Sequence, residues 1–189
     1  MHAVEPWSAG YVAPRSLETE RVHLEPLAPE HTSLDYAALM GSREHLRRTL
    51  QWGSWPRPDM TLDDNRRDLE RHYQLFQENK QYSYTVQDRT RAKCVGCIYF
   101  DPPENQVANP TAQLAYWVIE SELAAGLDRH LLESTLAWVR RDWPFTTVVV
   151  PVHGSNTRGI ALARDLGLDE LAPSEEYGKH GYRAFAWHR

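Results

Sequence analysis

Between Gln113 and Arg141 an apolar strand pattern leads through a small-residue turn, Leu123-Ala-Ala-Gly-Leu-Asp128, into an amphipathic helical pattern. The first backbone N–H groups of a helix have no partners within it and carry partial positive charge. This turn is therefore a candidate anion cradle, suited to phosphate. Downstream, Ser155-Asn156-Thr157 places two hydroxyls and an amide before a short helical run closed by Gly167. The same groups are good helix caps. Trp52 and Trp55 lie in a loop with Gly53, Pro56 and Pro58 and could stack on a ring or a peptide, or cover a core edge. Cys94-Val-Gly-Cys97 has the spacing of a redox or metal pair, but on a strand residues three apart face opposite sides. Two unrelated thiols are expected there. The 9 histidines show no ligand spacing, so no metal is expected.

These groups must be positioned by one domain. A chain of 189 residues can bury a single sizeable core. Its 41% hydrophobic and 25% charged residues set it apart from a disordered chain. A net charge of −5 argues against non-specific nucleic-acid binding. No apolar run reaches membrane-spanning length and no signal-peptide pattern opens the chain, so a cytoplasmic protein is expected. Two cysteines imply no disulfide framework.

Residues 1–16 read as an extended arm, ordered if Trp7 or Tyr11 packs on the body, and 17–189 as the domain. Residues 21–27 alternate as a half-buried strand. Pro29 opens a helical stretch to about Leu50, and Thr61 caps a second helix to about Asn79. Strands follow at 82–87, 92–100 and 113–119. A helix spans about 128–142 and ends at Trp143-Pro144. The β-branched run 146–152 reads as an interior strand, 158–166 as a short helix, and 182–187 as a last strand. This order predicts an α/β (α+β) mixed sheet flanked by helices.

The order of elements resembles the GCN5-related N-acetyltransferases (GNAT), especially those of the RimJ/RimL type. The resemblance covers the chain from about Leu17 onward. LETERVHLEPL is similar to the family's opening strand, AKCVGCIYF to its third, and Leu114-Ala-Tyr-Trp-Val-Ile119 to its fourth. Asn156 to Leu168 resembles its Asn…Lys-Leu-Gly-Phe helix. The resemblance implies a twisted, mostly antiparallel sheet and transfer of an acetyl group from acetyl-CoA to a primary amine, on a protein N-terminus or a small molecule. The amine attacks directly in a ternary complex. Acetyl-CoA is implied as co-substrate, with no nucleic-acid or membrane partner, and a homodimer is a candidate assembly.

The same resemblance assigns cofactor contacts to Val118, Ile119, Leu123, Ala124, Ala125, Gly126, Leu127, Asp128, Arg129, Asn156 and Arg158. A backbone N–H near Val118 would polarise the thioester carbonyl. Trp52, Trp55, Gln113 and Tyr116 fall where the acceptor enters. Of the usual turn, Arg/Gln-x-x-Gly-x-Gly/Ala, only Gly126 matches. Leu123 removes a polar group, and Asp128 sets a carboxylate where phosphate should come. That repulsion is about 1–4 kcal/mol at 4 Å, depending on screening. Gly159 and Ala163 stand where relatives carry Ser or Tyr; Ser155 and Thr157 are the nearest hydroxyls, with Ser155 the candidate acid, although capping explains both as well. Gln113 replaces a common Glu; Glu104 in the preceding loop is the candidate base, with a solvated loop carboxylate as its alternative reading. His130 stands where relatives often carry Glu. A catalytically impaired protein that binds a ligand or partner without transfer is the alternative function.

Overall fold

The computed structural model describes residues 5–103 and 111–189. The opening strand is a hairpin: Leu17–Glu18 (β1) folds back on Val22–Pro26 (β2). Thr19 Oγ1 accepts the backbone N–H groups of Arg21 and Val22, which closes the turn. The helical stretch from Pro29 to Leu50 is broken. After a 3-10 turn at Pro29–His31 come Thr32–Gly41 (α1) and Arg43–Leu50 (α2). Apolar spacing continues through the break. Ser42 forms the joint, and its hydroxyl accepts the Glu120 N–H at 2.9 Å, tying the helices to the edge of the future site. Leu62–Gln77 (α3) is capped by Thr61, whose Oγ1 accepts the Asp64 N–H while the Asp64 carboxylate accepts the Thr61 N–H. This reciprocal pair satisfies two backbone donors.

The remaining elements are Tyr82–Asp88 (β3), Cys94–Asp101 (β4), Thr111–Val118 (β5), Leu127–Asp142 (α4), Thr147–His153 (β6), Thr157–Asp165 (α5), Asp169–Glu170 (β7), Glu175–Gly178 (α6) and Tyr182–His188 (β8). They build one eight-stranded sheet in the order β1-β2-β3-β4-β5-β6-β8-β7. Every pairing is antiparallel except β5 with β6. That parallel ladder joins only Thr111–Gln113 to Thr147–Val149. Beyond Gln113 the two strands part.

One irregularity changes which side chains meet. Val86 pairs with Gly96 but Gln87 pairs with Cys94, so β4 carries an extra residue at Val95. Such a bulge breaks the two-residue alternation. Cys94 therefore comes round to the side of Cys97: Thr85, the cross-strand partner of Cys97, donates its hydroxyl to Cys94 Sγ at 3.7 Å. The expectation that the two thiols face opposite sides fails for this reason. Both are free and buried. Beside the bulge, Gly96 is forced by close approach, since a Cβ there would lie 2.2 Å from the Trp117 carbonyl oxygen on β5.

The core holds an aromatic cluster among its aliphatic side chains. Trp138 of α4 packs edge-on against Tyr84 and Trp143, and Trp143 stacks on Phe145 at 5.1 Å. The N-terminal arm joins this cluster. Trp7 stacks on Tyr82 at 4.7 Å and on Phe145 at 5.5 Å, and its indole N–H donates to the Thr111 carbonyl at 3.3 Å. Among the described residues, no helix is long and apolar enough to cross a membrane.

Candidate active site

The parting of β5 and β6 opens a groove, and α4 points its N-terminus at it. Gly126 caps α4 with φ +70°, ψ +30°. That left-handed geometry suits glycine and turns the chain so that the first N–H groups of α4 face the groove. Leu123, Asp128, Asn156 and Arg158 line the groove with Tyr116 and Val118 of β5. The enclosed volume is about 60 Å³, a narrow slot.

Two charged groups dominate the slot. Arg158 Nε donates to Asp128 Oδ2 at 2.6 Å and Nη2 donates to Asp128 Oδ1 at 2.9 Å. Arg158 Nη2 also donates to the Leu123 carbonyl at 2.8 Å, which locks the turn to α5. The Asp128 carboxylate additionally accepts the Arg129 backbone N–H. Burial alone would push its pKa up, but these hydrogen bonds outweigh it and hold Asp128 below the usual carboxylate range. Asp128 thus sits in the first turn of α4, as expected, with Gly126 rather than Asp128 as the cap. Its carboxylate occupies the donors that a phosphate would use, and Arg158 cancels its charge. Part of the repulsion expected from sequence is therefore removed within the protein.

Asn156 caps α5, accepting the Gly159 N–H at 2.9 Å through Oδ1. A Cβ on Gly159 would lie 2.6 Å from Asn156 Nδ2, so a serine at 159 requires the Asn156 side chain to move. Ser155 lies off the groove lining: its hydroxyl donates to the Arg48 carbonyl at 2.8 Å and lies 2.7 Å from His153 Nδ1. Arg129 turns outward to Asp165 at 2.8 Å and Glu133 at 3.4 Å. Ala124 and Ala125 are exposed, and the Ala125 carbonyl accepts Arg21 Nη1 at 3.0 Å. Leu127 and Ile119 are buried, and the Ile119 N–H donates to Val95 O at 2.9 Å. His130 lies 2.9 Å from Thr19 Oγ1, away from the groove. Glu104 lies outside the described residues.

Across β5 lies a second cavity of about 350 Å³, lined by Trp52, Trp55 and Gln113 together with Asp101, Tyr99 and His72. The two indoles pack at 5.4 Å, Trp52 meets Tyr99 edge-on at 5.8 Å, and Trp55 lies 6.4 Å from Trp117. Tyr116, expected here, instead lines the groove beside Asp128, because successive β-strand side chains alternate between faces. Burial, reinforced by the Asp128 charge, pushes the Tyr116 phenol pKa well up. Asp101 opposes Gln113 across β4 and β5. Burial raises its pKa, and the Gln81 side-chain N–H that it accepts at 2.6 Å only partly offsets this. Sequence reading missed Asp101 because it adjoins Pro102-Pro103 and reads as a strand terminator. Its cross-strand neighbour Gln113 was the only available signal. His45 of α2 also lines the groove, and burial lowers its pKa despite the nearby Glu120.

Trp52 and Ala115 line both cavities, so the spaces meet at the middle of β5. A donor on one side and an acceptor on the other would share this opening. Residues 21–169 match the pattern of the GNAT acetyltransferase domain, which is most of the chain. The chain belongs to the GNAT acetyltransferases. Acetyl-CoA is the co-substrate of this family and an amine is its acceptor. A RimL ribosomal-protein alpha-N-acetyltransferase in complex with coenzyme A shares 15% identity at TM-score 0.76, over 92% of this chain and 98% of that one. Mycobacterium smegmatis RimJ with a CoA disulfide shares 14% at TM-score 0.71, over 88% and 81%. The microcin self-immunity acetyltransferase MccE, in complex with acetyl-CoA and AMP, shares 15% at TM-score 0.74, over 90% and 94%. At these identities the likeness is one of fold. No curated protein matches the sequence at a significant level.

Proposed function

We propose that this GNAT protein acetylates a primary amine, on a protein N-terminus or a small molecule, within a ternary complex. The observation that carries the reading is the meeting of the groove and the aromatic cavity at Trp52 and Ala115. Acetyl-CoA lies in the groove, its pyrophosphate at the N-terminus of α4 near Gly126 and Arg158 and its pantetheine arm along the parted edge of β5. Beyond Gln113 that edge no longer pairs with β6, and an N–H near Val118 polarises the thioester carbonyl. The amine enters between Trp52 and Trp55.

The amine must lose a proton before it attacks. Asp101 is the candidate acceptor of that proton, directly or through water, with Glu104 as the other carboxylate of this region. The departing thiolate takes a proton in the groove. Ser155 was the candidate from sequence, and Tyr116, whose phenol lines the groove, is the better placed donor. The two aromatic and carboxylate-lined walls favour an acceptor with a cationic amine beside a flat group. A homodimer is part of this proposal only as an assembly to be tested by sedimentation.

A second reading has one observation in its favour: the Asp128 carboxylate already occupies the cradle, as a protein that binds without transfer could tolerate. A single experiment separates the two. Acetyl-CoA should raise the melting temperature by mass action and release free thiol when amines are added. No thermal shift at millimolar acetyl-CoA rejects the transferase reading. A shift without thiol release across peptide N-termini and small amines supports binding without transfer.

A further inference from the structure

The β4 bulge brings together three groups that acetyl transfer does not use. We propose that Asp35, Cys94 and Cys97 form a buried binding site for a thiophilic divalent cation of the zinc class. Their ligand atoms all lie within 4.8 Å of one another, and all three side chains are buried. Cys97 Sγ is 3.5 Å from Asp35 Oδ1. Zinc–sulfur and zinc–oxygen bonds of ordinary length subtend about 3.6 Å in a tetrahedron, so this edge is already formed.

The neighbourhood supplies independent support. Asp35 is only 2% exposed and its carboxylate meets the Asn65 amide N–H at 2.9 Å and a thiol, which is a weak donor. Asn65 is fully buried, and its Oδ1 has no hydrogen-bond partner. A buried carboxyl beside an orphaned amide oxygen is costly unless something compensates it. A cation compensates the carboxylate directly. Turning the Asn65 amide over brings its oxygen to the side where Nδ2 now meets Asp35, and this supplies a fourth ligand. The bonds from Nδ2 to Asp35 Oδ2, at 2.9 Å, and to the Thr32 carbonyl, at 3.3 Å, are lost in exchange.

Burial pushes the Cys97 thiol pKa well up. On binding, two metal–sulfur bonds form, the two S–H bonds break, and both protons pass to solvent. No oxidant or reductant is involved. Entry is available at Cys94, which also lines a surface cavity with Leu34, Ala38, Ser42 and Lys93.

The test is independent of acetyl transfer. The full chain, purified with reductant and without chelator, should carry about one zinc ion per chain by mass spectrometry. Cobalt(II) added to the metal-free chain should give thiolate-to-cobalt charge-transfer absorption that zinc abolishes. Cys94→Ser and Cys97→Ser should each remove that band, and Asp35→Asn should weaken cobalt binding at least about tenfold. The wild-type measurement decides even if a variant fails to fold. Absence of the cobalt band, with both thiols shown reduced by titration in denaturant, overturns the proposal. So does zinc that remains bound at undiminished stoichiometry in a folded Cys94→Ser/Cys97→Ser double variant, which would place the metal elsewhere.

Discussion

Asp128 is the residue on which the proposed donor binding turns. Replacing it with glycine frees Arg158 and the first N–H groups of α4, so acetyl-CoA should bind about tenfold more tightly in titration calorimetry. Unchanged affinity would show that the pyrophosphate does not use this cradle. The pair also contributes to stability. Because Asp128 titrates below its unfolded value, its contribution is present above the ordinary carboxylate range and is lost as pH falls through the lower folded value. The stability gap between wild type and Asp128→Asn should therefore close in acid, as followed by thermal melts. On the acceptor side, Asp101→Asn should lower kcat by about 10²-fold or more with acetyl-CoA affinity unchanged, and should remove the acidic limb of the rate profile. A normal kcat would return the role to Glu104 or to water. Residue chemistry was only partly legible in the sequence. The cap at Asn156 and the special turn at Gly126 follow from local rules. The Arg158–Asp128 pair spans 30 positions, and no local rule reveals that the carboxylate brings its own counter-ion.

At the scale of elements, the strands and helices follow the sequence closely where hydrophobic period and terminators agree. Pro102 ends β4 and Pro144 follows α4 as expected. Two features escaped. At Ser42 the backbone leaves helical geometry (φ −115°, ψ 12°) and divides one apolar period into two helices, while the Ser42 hydroxyl accepts the Glu120 N–H. The bulge at Val95 reverses the sense of every side chain before it, and only cross-strand register reveals it. Close contact between β4 and β5 makes Gly96 the most sensitive position in this region. Gly96→Ala should destabilise the fold by about 1–3 kcal/mol in urea melts, since its Cβ would meet backbone rather than a movable side chain. A neutral result would mean that β5 can shift away from β4.

At the scale of the whole molecule, the arm belongs to the core more than its Pro- and Gly-rich sequence suggests. Trp7 fills a place between Tyr82 and Phe145 and bonds to the start of β5. Trp7→Ala should cost about 1–3 kcal/mol and lower the melting temperature without altering acceptor preference. A loss of under about 1 kcal/mol would show that the arm is merely laid on the surface. The Arg158–Asp128 contact has a consequence at this scale too. The chain carries net charge −5 and its ligand is a polyanion, while Arg158, the cation of the proposed cradle, is already paired with Asp128. Association is then an exchange of one anion for another under a repulsive far field, which ions in solution screen over about 8–10 Å. Raising ionic strength should leave acetyl-CoA affinity level or improve it, the reverse of the usual behaviour of a basic phosphate site. With Asp128→Gly the dependence should change sign.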